Sequence, residues 1–218
     1  MATPAALIFD LNGTMIDDMA YHGEVWFDIL NRLGAGLDKA QVKAQLYGKN
    51  EELLERVFGK GHFTDTQLQE ISIEKERSYQ DIFLPHLALI KGLPQLLEKA
   101  AQQGIPMAIG SAAIRFNIDF VLDNLHIRHY FKAIVSADDV TNGKPNPETF
   151  LQCASLLGVP PESCIVFEDA PKGVETARNA GMQSVVLTTA HPAEDFVQYD
   201  NTLLFINDYT DERLNKLF

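Results

Sequence analysis

The stretch "LIFDLNGTMIDD", Leu7 to Asp18, begins as an apolar run, ends that run on the carboxylate of Asp10, and then turns over Asn12-Gly13. "ALIF" (6–9) has the composition of a short strand buried on both faces. "IPMAIG" (105–110), "CIVF" (164–167) and "SVVL" (184–187) read the same way, and "AIVSA" (133–137) is a further strand-like segment. Helical patterns separate the later runs. "GLPQLLEKAAQQG" sets Pro94 near a helix start and Gly104 past its end; "NPETFLQCASLLG" offers Asn146 as cap, Pro147 in the first turn and Gly158 as stop; "APKGVETARNAG" repeats the plan with Pro171 and Gly181. From about residue 90 strand and helix alternate, which predicts an α/β fold with a doubly wound parallel sheet.

Residues 17–84 break that rhythm, with helical periodicity and no convincing strand. Val25, Trp26, Ile29, Leu30 and Leu33 form one apolar stripe, Leu53, Leu54, Val57 and Phe58 a second, and Thr64 with Gln67 makes a capping box before a long helix. The expected organisation is an α/β core domain built from 1–16 and 88–218, interrupted by a helical domain over 17–87.

The chain has 218 residues, is 46% hydrophobic and carries a formal charge of −12, with no cluster of Lys or Arg. That size can bury a full core. Such a charge repels phosphate backbones and anionic membranes, so neither nucleic acid nor a membrane is an expected partner. Cys153 and Cys164 fall in core-like segments rather than in a disulfide or metal pattern. No basic leader or membrane-length apolar stretch is present, and a soluble, cytoplasmic monomer is the expectation.

In open α/β sheets, ligands bind at the carboxyl ends of the strands. Those ends carry Asp10, Ser111, and Glu168 with Asp169, while Lys144 lies in the loop "TNGKPNPE". A strand-end Asp or Ser alone is often only a helix cap. The ordered set points to phosphoryl transfer, which needs a carboxylate nucleophile, acids that hold Mg²⁺, a lysine for phosphoryl charge, and a hydroxyl beside backbone N–H groups.

"DLNGT", "GSAA", "GKPNPE" and "VFEDAPKGV" resemble the four ordered motifs of the haloacid dehalogenase (HAD) superfamily, and the helical insertion resembles its cap domain, a helical bundle. "DLNGTMIDDMAYHGEVW", "GVPPESCIVFEDAPKGVETARNAGM" and "LTTAHPAED" are most similar to the β-phosphoglucomutase-like subfamily. The resemblance implies that Asp10 attacks phosphorus to form an aspartyl phosphate. Asp10, the backbone carbonyl of Asn12 and Asp169 would ligate Mg²⁺, with Glu168 acting through water. Ser111 and the adjacent Ala112 would hold phosphoryl oxygens, and Lys144 would neutralise charge. His22 falls where β-phosphoglucomutases carry a hinge histidine. "YGKNEELL" matches the cap's specificity loop, which would bring Gly48, Lys49 and Glu51 to the substrate.

Two departures stand out. The family's phosphatases and mutases have an aspartate at the position of Asn12, which protonates the leaving oxygen and later activates the incoming nucleophile. An amide does neither. General acid–base catalysis is worth about 10² to 10⁴ in rate, so its loss slows an enzyme without silencing it. His22, or a water held by Asp17 or Asp18, is the candidate substitute. Glu51 stands where β-phosphoglucomutases place an arginine for a second phosphate, and a carboxylate there disfavours a bisphosphate. The leading expectation is an Mg²⁺-dependent phosphohydrolase acting on a small phosphorylated metabolite such as a sugar phosphate. A β-phosphoglucomutase-type isomerase is the alternative, and a slow, phosphometabolite-binding protein the third.

Overall fold

A computed structural model describes residues 4–217. The chain divides into two compact units, Met1–Asp17 with Ala88–Phe218 and Asp18–Leu87. We call them the core unit and the helical unit.

The core unit is a six-stranded sheet in the order β3-β2-β1-β4-β5-β6, with every neighbouring pair parallel. Its strands are β1 (Ala6–Phe9), β2 (Met107–Gly110), β3 (Phe131–Val135), β4 (Cys164–Glu168), β5 (Gln183–Leu187) and β6 (Thr202–Ile206). All four residues of β1 are buried, as are all of β2 and β4, because a central parallel strand is covered on both faces. One face packs Ala6, Ile8, Ala108, Val166, Phe150 and Cys153 into a single cluster. On the other, Phe9 stacks on Phe167 with ring centroids 4.7 Å apart. The register aligns Phe9 with Ile109 on one side and Phe167 on the other, so the residues following these three end together at one edge.

Three sequence expectations shift. β3 lies two residues earlier than "AIVSA". β6 was not anticipated: it is an edge strand and mostly half-buried. The helix expected from Asn146 begins at Glu148, though Asn146 Oδ1 still accepts from the Glu148 N–H at 3.0 Å. Both cysteines are buried thiols.

In the helical unit, α1 (Met19–Arg32) buries Val25, Trp26, Ile29 and Leu30, and α2 (Lys39–Lys43) starts on an Asp38–Gln41 capping box. α3 (Asn50–Phe58) buries Leu53 and Leu54. α4 (Asp65–Phe83) begins on the Thr64–Gln67 box and buries an unusual stripe of Ile71, Ser72, Lys75, Glu76, Tyr79 and Phe83. Among the described residues no helix is long and apolar enough to cross a membrane.

The insertion leaves and re-enters the core unit through adjacent backbone. Ile16 bridges Leu89 antiparallel, and the Ile90 N–H donates to the Met15 carbonyl at 2.9 Å. The return segment then enters α5 (Leu93–Gln102).

Candidate active site

Asp10 follows β1 at the centre of the sheet, and its N–H continues the ladder to the Phe167 carbonyl at 3.0 Å. Its Oδ1 accepts from Lys144 Nζ at 2.7 Å, and the same ammonium donates to Glu168 Oε1 at 2.6 Å. Glu168 Oε2 accepts from the N–H groups of Asp169 and Ala170, both at 2.8 Å. Asp169 Oδ1 accepts from the Thr14 hydroxyl at 3.1 Å. Gly13, at φ +75°, lies so close to Asp169 that a Cβ there would overlap its carboxylate. Each of Asp10, Glu168 and Asp169 offers an oxygen within 4.8 Å of the others, and all three are buried.

Ser111 follows β2, next to β1, and is 1% exposed. Its own N–H is committed to the Val135 carbonyl at 3.0 Å, while its Oγ accepts from Ala113 N at 3.1 Å. Among the expected N–H groups, that turns attention to Ala112.

Three carboxylates face one lysine here. Burial alone pushes a lysine down, but the charges of Asp10 and Glu168 and their hydrogen bonds outweigh it and hold Lys144 above its ordinary value. Asp169 is raised well above its ordinary value, first by burial and then by the charges of Glu168 and Asp10. One ammonium does not balance this cluster. An all-oxygen, excess-negative donor set suits a hard divalent cation, so the residues fit the ion expected for them.

The helical unit contains a second buried polar cluster. Lys75 Nζ lies 2.7 Å from His22 Nδ1 and 2.8 Å from Glu76 Oε1. His22 Nε2 lies 3.1 Å from Asp18 Oδ2, which also accepts from the Tyr79 hydroxyl at 2.5 Å. An ammonium can only donate, so Nδ1 accepts and the proton resides on Nε2, facing Asp18. Asn50 donates to Ser72 Oγ and Glu76 Oε1. His22 is buried, and both its nitrogens are engaged. Asp18, expected as a water holder, is part of this interior, while Asp17 is exposed. Sequence reading missed Lys75, Glu76 and Tyr79. The signal for them was the spacing 72, 75, 76, 79, which places polar residues on the helical stripe that faces inward. Gly48 and Lys49 lie at the entry to α3 and Glu51 in its first turn, and the Lys49 N–H donates to Glu52 Oε2 at 3.0 Å.

A parallel doubly wound sheet with clustered carboxylates at its central strand ends defines a class of α/β enzyme, and the comparisons specify it. Residues 7–187 match the family of haloacid dehalogenase-like hydrolases. The fructose-1-phosphate phosphatase YqaB of Escherichia coli is 34% identical over 83% of this chain and 95% of its own. The β-phosphoglucomutase of Bacillus subtilis is 33% identical, covering 86% and 84%. A crystal structure of a family IA, variant 3 HAD hydrolase from Entamoeba histolytica superposes with a TM-score of 0.86 at 26% identity, over 97% of this chain and 96% of that one. The chain belongs to the haloacid dehalogenase-like hydrolase family.

Proposed function

We propose that the chain is a phosphatase that hydrolyses a small phosphorylated metabolite, a sugar phosphate, through an aspartyl phosphate on Asp10. The observation that carries this reading is the Lys144 ammonium held between Asp10 and Glu168, beside Asp169. Relatives named as a fructose-1-phosphate phosphatase and a validoxylamine A 7'-phosphate phosphatase support the substrate class.

Asp10, the Asn12 backbone carbonyl and Asp169 would hold Mg²⁺, with Glu168 behind water, and the ion would neutralise carboxylate and phosphoryl charge. Lys144 orients Asp10 through Oδ1 and, held charged by its two carboxylates, offsets the incoming phosphoryl group. Ser111 Oγ and the Ala112 backbone receive phosphoryl oxygens. Asn12 carries no titratable proton. With both nitrogens of His22 engaged inside the helical unit, proton transfer to the leaving group falls to water, and turnover is slow. Hydrolysis is preferred to isomerisation because Glu51 stands where the mutases place an arginine.

The test is a phosphoester panel with Mg²⁺, run on the parent and on Asn12→Asp, with intact mass to follow phosphoenzyme. Asn12→Asp should gain about 10² to 10⁴ in rate, and phosphoenzyme that accumulates in the parent alone assigns the block to the second half-reaction. No Mg²⁺-dependent turnover in either protein ends the reading.

A further inference from the structure

Tyr209 is 5% exposed and has no part in the chemistry above. It lies just beyond β6 in the core unit, tied down on four sides. Its hydroxyl donates to the Thr14 carbonyl at 3.0 Å, and its N–H donates to the Lys91 carbonyl at 2.9 Å. Its ring centroid is 5.6 Å from that of Phe167, the residue before Glu168. Gly92, at φ +85°, closes against its backbone so tightly that a Cβ would come within 2.6 Å of the Tyr209 carbonyl carbon and 2.7 Å of Thr210 N. One tyrosine thus clasps the segment leaving β1 and the segment returning to α5.

Thr14 is the relay. Its carbonyl receives the Tyr209 hydroxyl, its own hydroxyl donates to Asp169 Oδ1, and it is fully buried, so no solvent water replaces a lost partner. We propose that Tyr209 is a positioning residue: it fixes the Thr14 peptide so that the Thr14 hydroxyl aims Asp169, which makes the segment after β6 part of the catalytic scaffold. The catalytic half of this inference rests on the phosphatase reading; the clasp does not. Burial, then the charges of Asp10 and Asp169, push the phenol well above its ordinary range, so it stays a donor through neutral pH.

Tyr209→Phe keeps the ring on Phe167 and deletes only the hydroxyl. Amide exchange over Leu11–Ile16 should accelerate about tenfold. Mg²⁺ affinity, measured by calorimetry without substrate, should fall about 10- to 100-fold, the usual penalty for losing a partner behind a metal ligand. In turnover, kcat should fall while KM holds. A tyrosine that only stabilises the fold would lower the melting temperature and leave Mg²⁺ affinity within about twofold of the parent, which overturns the proposal.

Thr14→Val cuts the same relay from the other end and serves if Tyr209→Phe does not fold. Where both fold, the double variant should lose little more affinity than either single one, whereas additive losses count against a shared relay. A parent that neither binds Mg²⁺ nor turns over any phosphoester defeats the phosphatase reading. Unchanged exchange over Leu11–Ile16 in Tyr209→Phe defeats the clasp, whatever the parent catalyses.

Discussion

Each unit buries a lysine against a carboxylate, yet the two clusters are finished differently. In the core unit, Lys144 serves Asp10 and Glu168 while a third carboxylate, Asp169, converges on the same space. In the helical unit, Lys75 serves Glu76 on one side and His22 on the other, and Asp18 is met by His22 and Tyr79. Burial tends to raise Glu76, but the charge of Lys75 and the hydrogen bonds from Lys75 and Asn50 outweigh it and leave its carboxyl lowered. Asp169 goes the opposite way. The same side-chain types thus keep two carboxylates, Asp18 and Glu76, on separate partners in one unit and bring three onto one shared space in the other. Convergence of carboxylates, rather than burial, marks the place for a cation.

The sharpest way to break that contrast is Asp10→Asn. Turnover should fall at least about 10⁴-fold as the nucleophile is lost. The metal-free protein should meanwhile become more stable in urea, because one of three mutually repelling carboxylates is gone. A less stable Asn variant would mean that the Lys144 ion pair outweighs the repulsion.

The two lysines come next. Lys144→Met and Lys75→Met should each lose about 3 to 5 kcal/mol in chemical denaturation, the usual consequence of stranding buried charge. Saturating Mg²⁺ should restore part of the loss in Lys144→Met and none in Lys75→Met. Equal rescue of both, or of neither, removes the distinction between the clusters.

The smallest effect is on pH dependence. Because the Asp169 carboxyl is raised, the folded metal-free chain keeps a proton that the unfolded chain has released above about pH 4. Its contribution to stability is present below that pH and is lost as pH rises through the raised value, by at most about 1.4 kcal/mol per pH unit. Mg²⁺ should flatten the slope by displacing the proton, and its affinity should rise over the same range. Urea midpoints against pH, with and without Mg²⁺, measure both; a metal-free stability that climbs through this window contradicts the assignment.

Much of the sheet could be read in advance because its central strands are apolar throughout, and its ends carry Asp10, Ser111, Glu168 and Asp169 in motif order. β6 could not, because "TLLFI" at the sheet edge is only half-buried and follows no helix of the earlier pattern. Lys75 and Glu76 lie in the long helix announced by the Thr64–Gln67 box, and nothing in that signal marked them as interior. Only the packing of α1 against α4 turns them inward, and tertiary neighbours are invisible in a composition. Tyr209 was hidden for a related reason: its partners Thr14, Lys91 and Phe167 are distant in sequence, and its bonds go to backbone carbonyls that no side-chain motif records.

The doorway at Met15 and Ile90 has a consequence for how such a chain can change over time. Since the core unit's backbone is already joined by the Ile16–Leu89 bridge and the Ile90 to Met15 hydrogen bond, whatever lies between is, to the sheet, a loop with its ends tied. Doubling the length of such a loop costs only about 0.6 kcal/mol in closure entropy. Helices can be added, removed or exchanged there while Asp10 keeps its neighbours, so the insert is free to diverge at a pace the strand ends are not.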